Sequence, residues 1–271
     1  MLPGRHPARR ADTAGTGPLL PDATRAAVAE FVATAMFVFA AEGSVYGLWK
    51  LHKDDTATPG SLLAVAIAHA LALVAAVAVA SNASGGHVNP AVTFGLLVGR
   101  RISFGRAAVY WLAQLLGAVV ASLLLTLVSG GTRPKYENFT IGLVRGIHER
   151  HALLLEAVMT FGLMYVVYAT AVDHRSWGGS TTVAIAPLAI GFVLGANILA
   201  GGPFDGAAMN PARAFGPALV GWSWRHHWVY WVRPLIGAGL AGALYESVMV
   251  EQEPEAPTAA APRMPVASEE D

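Results

Sequence analysis

Six long apolar stretches, separated by polar connectors, set the hydrophobic pattern of the chain. Each has about 20 residues, which at a helical rise of about 1.5 Å per residue covers the roughly 30 Å hydrocarbon core of a bilayer. The pattern therefore predicts six transmembrane helices in one domain over residues 26–250. Their approximate bounds are Ala26–Leu48, Ser61–Ala80, Arg106–Val128, Ala152–Val172, Thr181–Ala200 and Trp228–Val250.

Two shorter apolar stretches lie between these spans, and each follows a Gly-rich segment and begins with Asn-Pro-Ala. The two copies are Asn89-Pro90-Ala91 and Asn210-Pro211-Ala212. An Asn side chain accepts hydrogen bonds from the free N–H groups that begin a helix, and Pro is harmless at the first helical position. The apolar residues that follow make only about two to three turns, too few to cross a bilayer. We therefore predict two re-entrant half-helices.

The two halves of the membrane domain share a sequence pattern. Tyr110–Ala118 aligns with Tyr230–Ala238, Glu30 matches Glu156, and the tripeptides stand at similar offsets. We infer an internal duplication with three spans in each repeat. Because three is odd, the second repeat crosses the membrane upside down. The half-helices then enter from opposite faces, and their N-terminal ends meet. One Asn-Pro copy alone would be more typical of a helix cap in a loop.

The predicted fold class is an all-α membrane protein with an inverted 3+3 repeat, repeat one over about 26–128 and repeat two over about 152–250. Both chain ends then lie on one side of the membrane. Arg residues near the span ends favour the cytosol for that side, and they are Arg25, Arg100, Arg101 and Arg106. Residues 1–25 are polar, contain several Arg residues and are rich in Pro and Gly, and residues 251–271 are acidic and rich in Pro and Ala. Both compositions predict disordered tails.

Composition agrees with a protein embedded in lipid. The chain is 54% hydrophobic and only 13% charged, about half the charged share of a soluble protein. Its net charge is zero, which gives no indication of a nucleic-acid partner. There is no cysteine, so disulfides and thiol chemistry are excluded. We find no nucleophile–base pair, metal cluster or phosphate loop, and we expect no enzyme activity, no cofactor and no metal.

The predicted geometry suggests a passage for uncharged molecules. Irregular backbone at membrane depth is tolerated where it lines a water-filled cavity, so the Gly-rich segments are candidate pore wall. The positive ends of two helix dipoles, about half a charge each, add where the half-helices meet and repel cations. A passive channel for small neutral solutes follows. The alternative is an ion-coupled secondary transporter, which also uses inverted repeats and broken helices.

The two Asn-Pro-Ala motifs, with Arg213 after the second and the paired Glu30 and Glu156, resemble the aquaporin (major intrinsic protein) family over about residues 26–250. Three further segments resemble plant tonoplast intrinsic proteins: Ala68–Leu73, Ser84–Asn89 and Ala196–Leu199. Gly202–Ala207 resembles the seed-type (alpha, group 3) subgroup. The resemblance implies the aquaporin fold, a homotetramer with one pore per subunit, and a location in the vacuolar membrane.

The resemblance also maps His69, Ile198, Ala207 and Arg213 onto the family's selectivity filter. His69 and Arg213 bear hydrogen-bond donors, whereas Ile198 is aliphatic and Ala207 is very small. This combination implies a wide filter that passes water, glycerol, urea and hydrogen peroxide. Arg213 opposes the dipole at its half-helix start, which indicates function, although pairing with a structural carboxylate is the alternative. For His69 the alternative is a packing residue.

Three other polar residues are predicted to support the pore. Glu30 and Glu156 can accept hydrogen bonds from the backbone of the Gly-rich segments, and a proton relay is the alternative role. His87 is expected to line the cytosolic half of the pore or, alternatively, to hold the backbone.

Two residues are candidate modification sites. Ser103 follows two Arg residues and is a candidate phosphorylation site, although a helix cap explains it equally well. Asn138 begins a glycosylation sequon.

Arg233 departs from the family pattern and is expected to extend to the membrane surface.

Overall fold

The structure, a computed structural model, describes residues 22–51, 58–130, 149–173 and 180–250. Every regular element in these residues is helical, and the six long and two short helices that were predicted are all present. Their bounds are α1 Asp22–Leu51, α2 Pro59–Ser84, α3 Pro90–Val98, α4 Phe104–Val128, α5 Glu149–Val167, α6 Ser180–Asp205, α7 Pro211–Gly221 and α8 Val229–Leu244.

Five of the described helical segments are long and apolar enough to cross a membrane, and they comprise α1, α2, α4, α6 and α5 with its extension. Two helices continue as π-helical turns, α5 over Tyr168–Val172 and α8 over Tyr245–Met249. The extension of α8 brings the sixth predicted span to nearly its expected end. The Tyr168 and Tyr245 rings stack with centroids 5.2 Å apart, so the two π-helical turns lie side by side.

The first helix begins earlier than its hydrophobic pattern indicates. α1 starts at Asp22, inside the stretch predicted as a disordered tail. The Asp22 carboxylate accepts hydrogen bonds from Arg25, 2.8 Å away, and from Arg106 of α4. These ion pairs, and an acidic residue in the first turn, favour an additional helical turn. The tail segments 1–21 and 251–271 lie outside the described residues.

Equivalent glycines allow close helix crossings in the two repeats. A methyl group on Gly117 of α4 would lie within 3.0 Å of the Phe31 carbonyl oxygen of α1. A methyl group on Gly237 of α8 would lie within 3.0 Å of the Ala157 carbonyl oxygen of α5. Small residues let helix backbones approach closely in lipid. The same crossing at matching places supports the predicted duplication.

Each half-helix packs against the last long helix of the other repeat. Gly95 of α3 faces the Ala238 carbonyl oxygen of α8, which would lie only 2.8 Å from a methyl group on Gly95. Gly216 of α7 faces the Ala118 carbonyl oxygen of α4 in the same way. The repeats are therefore interlocked, and neither half-helix is buried by its own repeat alone.

The outer and inner surfaces of the helix bundle have the polarity expected in lipid. Large apolar side chains are exposed on the long helices, including Leu71, Leu127, Phe192 and Leu240. Among the described residues, the interior instead contains seven buried charged residues, which are Glu30, Glu42, Glu156, Asp173, Asp205, Arg213 and Arg233. Intramembrane charges of this kind are costly and face the bundle interior when they serve function. The functional site is therefore expected inside the bundle.

Candidate functional site

Both tripeptide asparagines cap their half-helices as the sequence predicted. The Asn89 Oδ1 atom accepts the Ala91 N–H of α3 at 2.8 Å. The Asn210 Oδ1 atom accepts the Ala212 and Arg213 N–H groups of α7 at 3.0 and 3.3 Å. In each case Pro follows at the first helical position.

The two half-helix tips meet and exchange hydrogen bonds. The Asn89 Nδ2 atom donates to the Met209 carbonyl oxygen at 2.9 Å, and the Asn210 Nδ2 atom donates to the Val88 carbonyl oxygen at 2.9 Å. Val88 and Met209 have φ angles of 56° and 50°, which turn each chain sharply before its Asn. The positive ends of two helix dipoles therefore face one junction.

Glu30 holds the backbone that leads into the first half-helix. Its carboxylate accepts the His87 N–H at 2.9 Å and the Val88 N–H at 2.7 Å. It also accepts the Ser84 hydroxyl at 2.6 Å and the Gln114 side-chain amide at 2.8 Å. Hydrogen bonds to a carboxylate are among the stronger ones in proteins, so they stabilise this irregular segment.

Glu156 does the same for the second half-helix. Its carboxylate accepts the Ala208 N–H at 2.5 Å and the Met209 N–H at 2.8 Å. These N–H groups occupy the positions equivalent to those that Glu30 binds in the first repeat. The duplication therefore extends from the helices to individual hydrogen bonds.

A cavity of about 340 Å³ borders the junction, and Arg101, in the turn between α3 and α4, also lines it. Its wall is mostly apolar, and Asn89, Asn210 and His87 provide polar groups. The His87 Nδ1 atom lies 3.0 Å from the Thr93 hydroxyl, and the His87 ring packs edge-on against Tyr110 with centroids 5.0 Å apart. His87 thus borders this cavity, and its ring is held by two neighbours.

Arg213 is fully buried and is held on two sides. Its Nε atom donates to the Glu42 carboxylate of α1 at 2.9 Å. Its Nη1 atom donates to the Ala207 carbonyl oxygen at 2.6 Å and more weakly to that of Gly206 at 3.3 Å. Its Nη2 atom has no hydrogen-bond partner. Arg213 is therefore paired with a carboxylate, which was the alternative role considered for it. Its partner, Glu42, was not among the predicted site residues.

Glu42 could have been found from the sequence. It is a carboxylate inside the first apolar span, and a charge at such a place indicates function by default. The sequence does not indicate its partner, because Arg213 lies 171 residues further along the chain.

His69 presents an acceptor, which corrects the expectation that it contributes a donor. Its Nδ1 atom lies 2.9 Å from the Val65 carbonyl oxygen. Because a carbonyl oxygen only accepts, Nδ1 carries the proton, and Nε2 of the neutral ring is left as an acceptor. The Nε2 atom is buried without a hydrogen-bond partner. His69 and Arg213 interact electrostatically, which places the two predicted filter residues near each other.

The other two predicted filter residues are apolar and buried. Ala207 has a φ angle of 48° and contacts Arg213 through its carbonyl oxygen. Ile198 is 1% exposed on α6, one turn before Gly202. The cavity that reaches Asn89 and Asn210 is not lined by the four predicted filter residues.

Arg233 does not extend to the membrane surface, contrary to expectation. Its side chain is fully buried, and its guanidinium lies 5.7 Å from the centroid of the Trp228 ring. The Arg233 charge also interacts with the buried Asp205 carboxylate. An aromatic face and an opposite charge inside the bundle replace the water that a surface position would offer.

The structure describes one of the two candidate modification sites, Ser103. The exposed Ser103 caps α4 by accepting the Arg106 N–H at 3.4 Å, which is its alternative role. The nearby Arg101 donates to Glu246 at 2.5 and 3.0 Å, and this carboxylate raises the pKa of the Arg101 guanidinium. Asn138 lies outside the described residues.

Comparisons with known proteins agree with this geometry. The family model described as Major intrinsic protein matches residues 20–245. The chain is 74% identical over 274 residues to the probable aquaporin TIP3-2 of Oryza sativa subsp. japonica, with 100% of both chains covered. It is 60% identical over 230 residues to the aquaporin TIP3-1 of Zea mays, covering 85% of each.

A solved structure has a similar fold. The X-ray structure of the aquaglyceroporin from Plasmodium falciparum superposes with a TM-score of 0.69 at 24% sequence identity. The match covers 84% of this chain and 97% of that one.

Proposed function

This chain belongs to the major intrinsic protein family, and from this premise we propose that it is a passive channel for water and small neutral solutes that excludes protons and ions. The observation that carries the proposal is the junction of the two half-helix tips. There, Asn89 and Asn210 border a cavity and exchange hydrogen bonds with the opposite backbone.

The junction favours neutral molecules over cations. Each Asn amide has two N–H donors and uses one on a carbonyl of the other tip, so one donor remains for a passing molecule. A water molecule or a hydroxylated solute can accept these donors in place of its lost hydration. A cation there would meet the positive ends of two helices, about half a charge each. A proton relayed along a file of water meets the same barrier.

We further propose that His69, Ile198, Ala207 and Arg213 form the selectivity filter. Two polar atoms among them lack partners, the Arg213 Nη2 donor and the His69 Nε2 acceptor. A donor and an acceptor suit water and the hydroxyl groups of glycerol or hydrogen peroxide, and the amide of urea. The small Ala207 and the aliphatic Ile198 supply volume and an apolar wall. This composition supports conduction of those solutes in addition to water.

Glu30 and Glu156 act as structural anchors in this proposal. Their described hydrogen bonds are to backbone N–H groups of the two irregular segments and, for Glu30, to two polar side chains. Holding both segments in shape keeps the Asn tips in register, whereas a proton relay would need a chain of exchangeable groups across the bundle.

For location and assembly we propose the vacuolar membrane of a plant cell, with both chain ends in the cytosol, and a homotetramer with one passage in each subunit. The high identity to relatives named TIP3 supports the location. The exposed apolar faces of the long helices are suited to contact with lipid and with neighbouring subunits.

Osmotic measurements on the purified protein in liposomes test the proposal. We expect water flux above that of empty liposomes, with low activation energy and without an ion gradient, and additional flux of glycerol, urea and hydrogen peroxide. A strict requirement for a proton or sodium gradient would instead establish the ion-coupled transporter.

A further inference from the structure

The pairing of Glu42 with Arg213 is an unanticipated feature of the predicted filter. Glu42 is 4% exposed and Arg213 is fully buried, and their Oε1 and Nε atoms are 2.9 Å apart. Two opposite charges at this distance in a poorly solvated interior interact strongly and leave little net charge. The filter Arg is therefore compensated, and the cation barrier rests mainly on the half-helix dipoles.

The hydrogen bonds of the guanidinium determine which of its atoms can meet a solute. Glu42 occupies Nε, and backbone carbonyl oxygens of residues 206–208 occupy Nη1. Only Nη2 keeps unpaired donors. Without Glu42, the Nε donor would be buried and unpaired, which costs free energy unless the side chain moves toward water. In the proposed channel, that water would lie in the passage.

One helix supports both half-helices. Glu30 binds the segment before α3, and Glu42 binds Arg213 of α7, and both carboxylates belong to α1. They are twelve residues apart, which corresponds to about 18 Å along the helix axis. The second repeat has a counterpart to Glu30 in Glu156, whereas the hydrogen bond described for Glu42 is the one from Arg213.

We propose that Glu42 is a specificity-determining residue that acts by positioning Arg213. It holds the guanidinium against the wall so that one amino group faces the passage, and it thereby keeps the filter wide and weakly charged enough for solutes larger than water. The inference rests on the proposed channel function and deepens it.

The test is the ratio of glycerol to water permeability in liposomes containing the full-length protein. Glu42→Gln keeps the size and one acceptor but removes the charge, and we expect it to lower the ratio about twofold. Glu42→Ala removes the acceptor too, so the guanidinium turns into the passage and the ratio falls about fourfold or more. Water permeability should change less than glycerol permeability in both.

A matched control and a double variant separate positioning from a general structural effect. Asp22→Asn removes an equivalent charge from the exposed end of the same helix, where Asp22 pairs with Arg25 and Arg106, and should leave the ratio unchanged. If Glu42 acts through Arg213, then Arg213→Ala and the double variant Glu42→Ala/Arg213→Ala should have equal ratios.

Two results would overturn the inference, and a third would contradict the proposed channel function. A ratio in Glu42→Gln equal to that in Asp22→Asn would overturn the inference, even if Glu42→Ala failed to fold. So would a double variant that differs from Arg213→Ala as much as Glu42→Ala differs from the native protein. Absence of water flux in the native protein would instead contradict the proposed channel function.

Discussion

At the scale of single residues, the prediction of function depends on whether a side chain's partner is local. The Asn caps were predictable because their acceptors bind the next N–H groups along the chain. Glu30 and Glu156 were predictable because the duplication pairs them. The Glu42–Arg213 ion pair and the burial of Arg233 were not, because Glu42 and Asp205, the carboxylates that face these two Arg residues, belong to other helices.

The side chain of Ala207 leads to a prediction about the width of the proposed filter. Its φ angle of 48° is a conformation that a β-branched residue rarely adopts. We expect Ala207→Val to narrow the filter and to lower glycerol permeability about tenfold, with a smaller loss for water, since pore diameter limits the larger solute first. Stopped-flow permeability measures both.

The control for this prediction is Ala207→Gly, which suits the positive φ angle and removes a methyl group. It should conduct glycerol at least as well as the native protein. Native glycerol permeability in Ala207→Val would show that Ala207 lies away from the passage.

At the scale of elements, the lengths of the apolar stretches and the Gly-rich breaks between them predicted most of the helices. Six apolar spans and two short capped helices were predicted, and all are present. The π-helical ends of α5 and α8 were not, because no residue pattern distinguishes them from an α-helix. The early start of α1 was also missed, because it depends on Arg106 of another helix. Contacts between residues that are distant in sequence therefore determine where a helix begins and ends more than they determine whether a segment is helical.

The close crossing of α5 and α8 gives the prediction at this scale. A methyl group on Gly237 would meet the Ala157 carbonyl and the Phe161 N–H group, and both belong to backbone that cannot move easily. We expect Gly237→Ala to destabilise the protein by about 1–3 kcal/mol, as overpacking does. Thermal unfolding in detergent measures the change as a lower Tm.

Gly162 of α5 provides the matched control, because a methyl group there has no neighbour within 4 Å. Gly162→Ala should keep or raise the Tm, since Ala favours a helix by about 0.5–1 kcal/mol. Equal Tm values for the two variants would mean that the crossing is looser than described.

At the scale of the whole molecule, the two repeats depend on each other. Each half-helix packs on the last long helix of the other repeat, and the Asn tips bind each other's backbone. Neither repeat alone encloses the junction. The inverted duplication, inferred from three matching places in the sequence, thus accounts for both the interlocked fold and the position of the candidate site.

The most direct measurement records water and proton movement together, in liposomes that contain the native protein and an internal pH dye. Under an osmotic gradient we expect vesicles to shrink faster than empty ones, because neutral molecules pass the junction. Under a pH gradient the dye signal should match that of empty vesicles, because the converging helix dipoles repel protons. Shrinkage no faster than in empty vesicles, or a rapid pH change that accompanies it, would contradict the account.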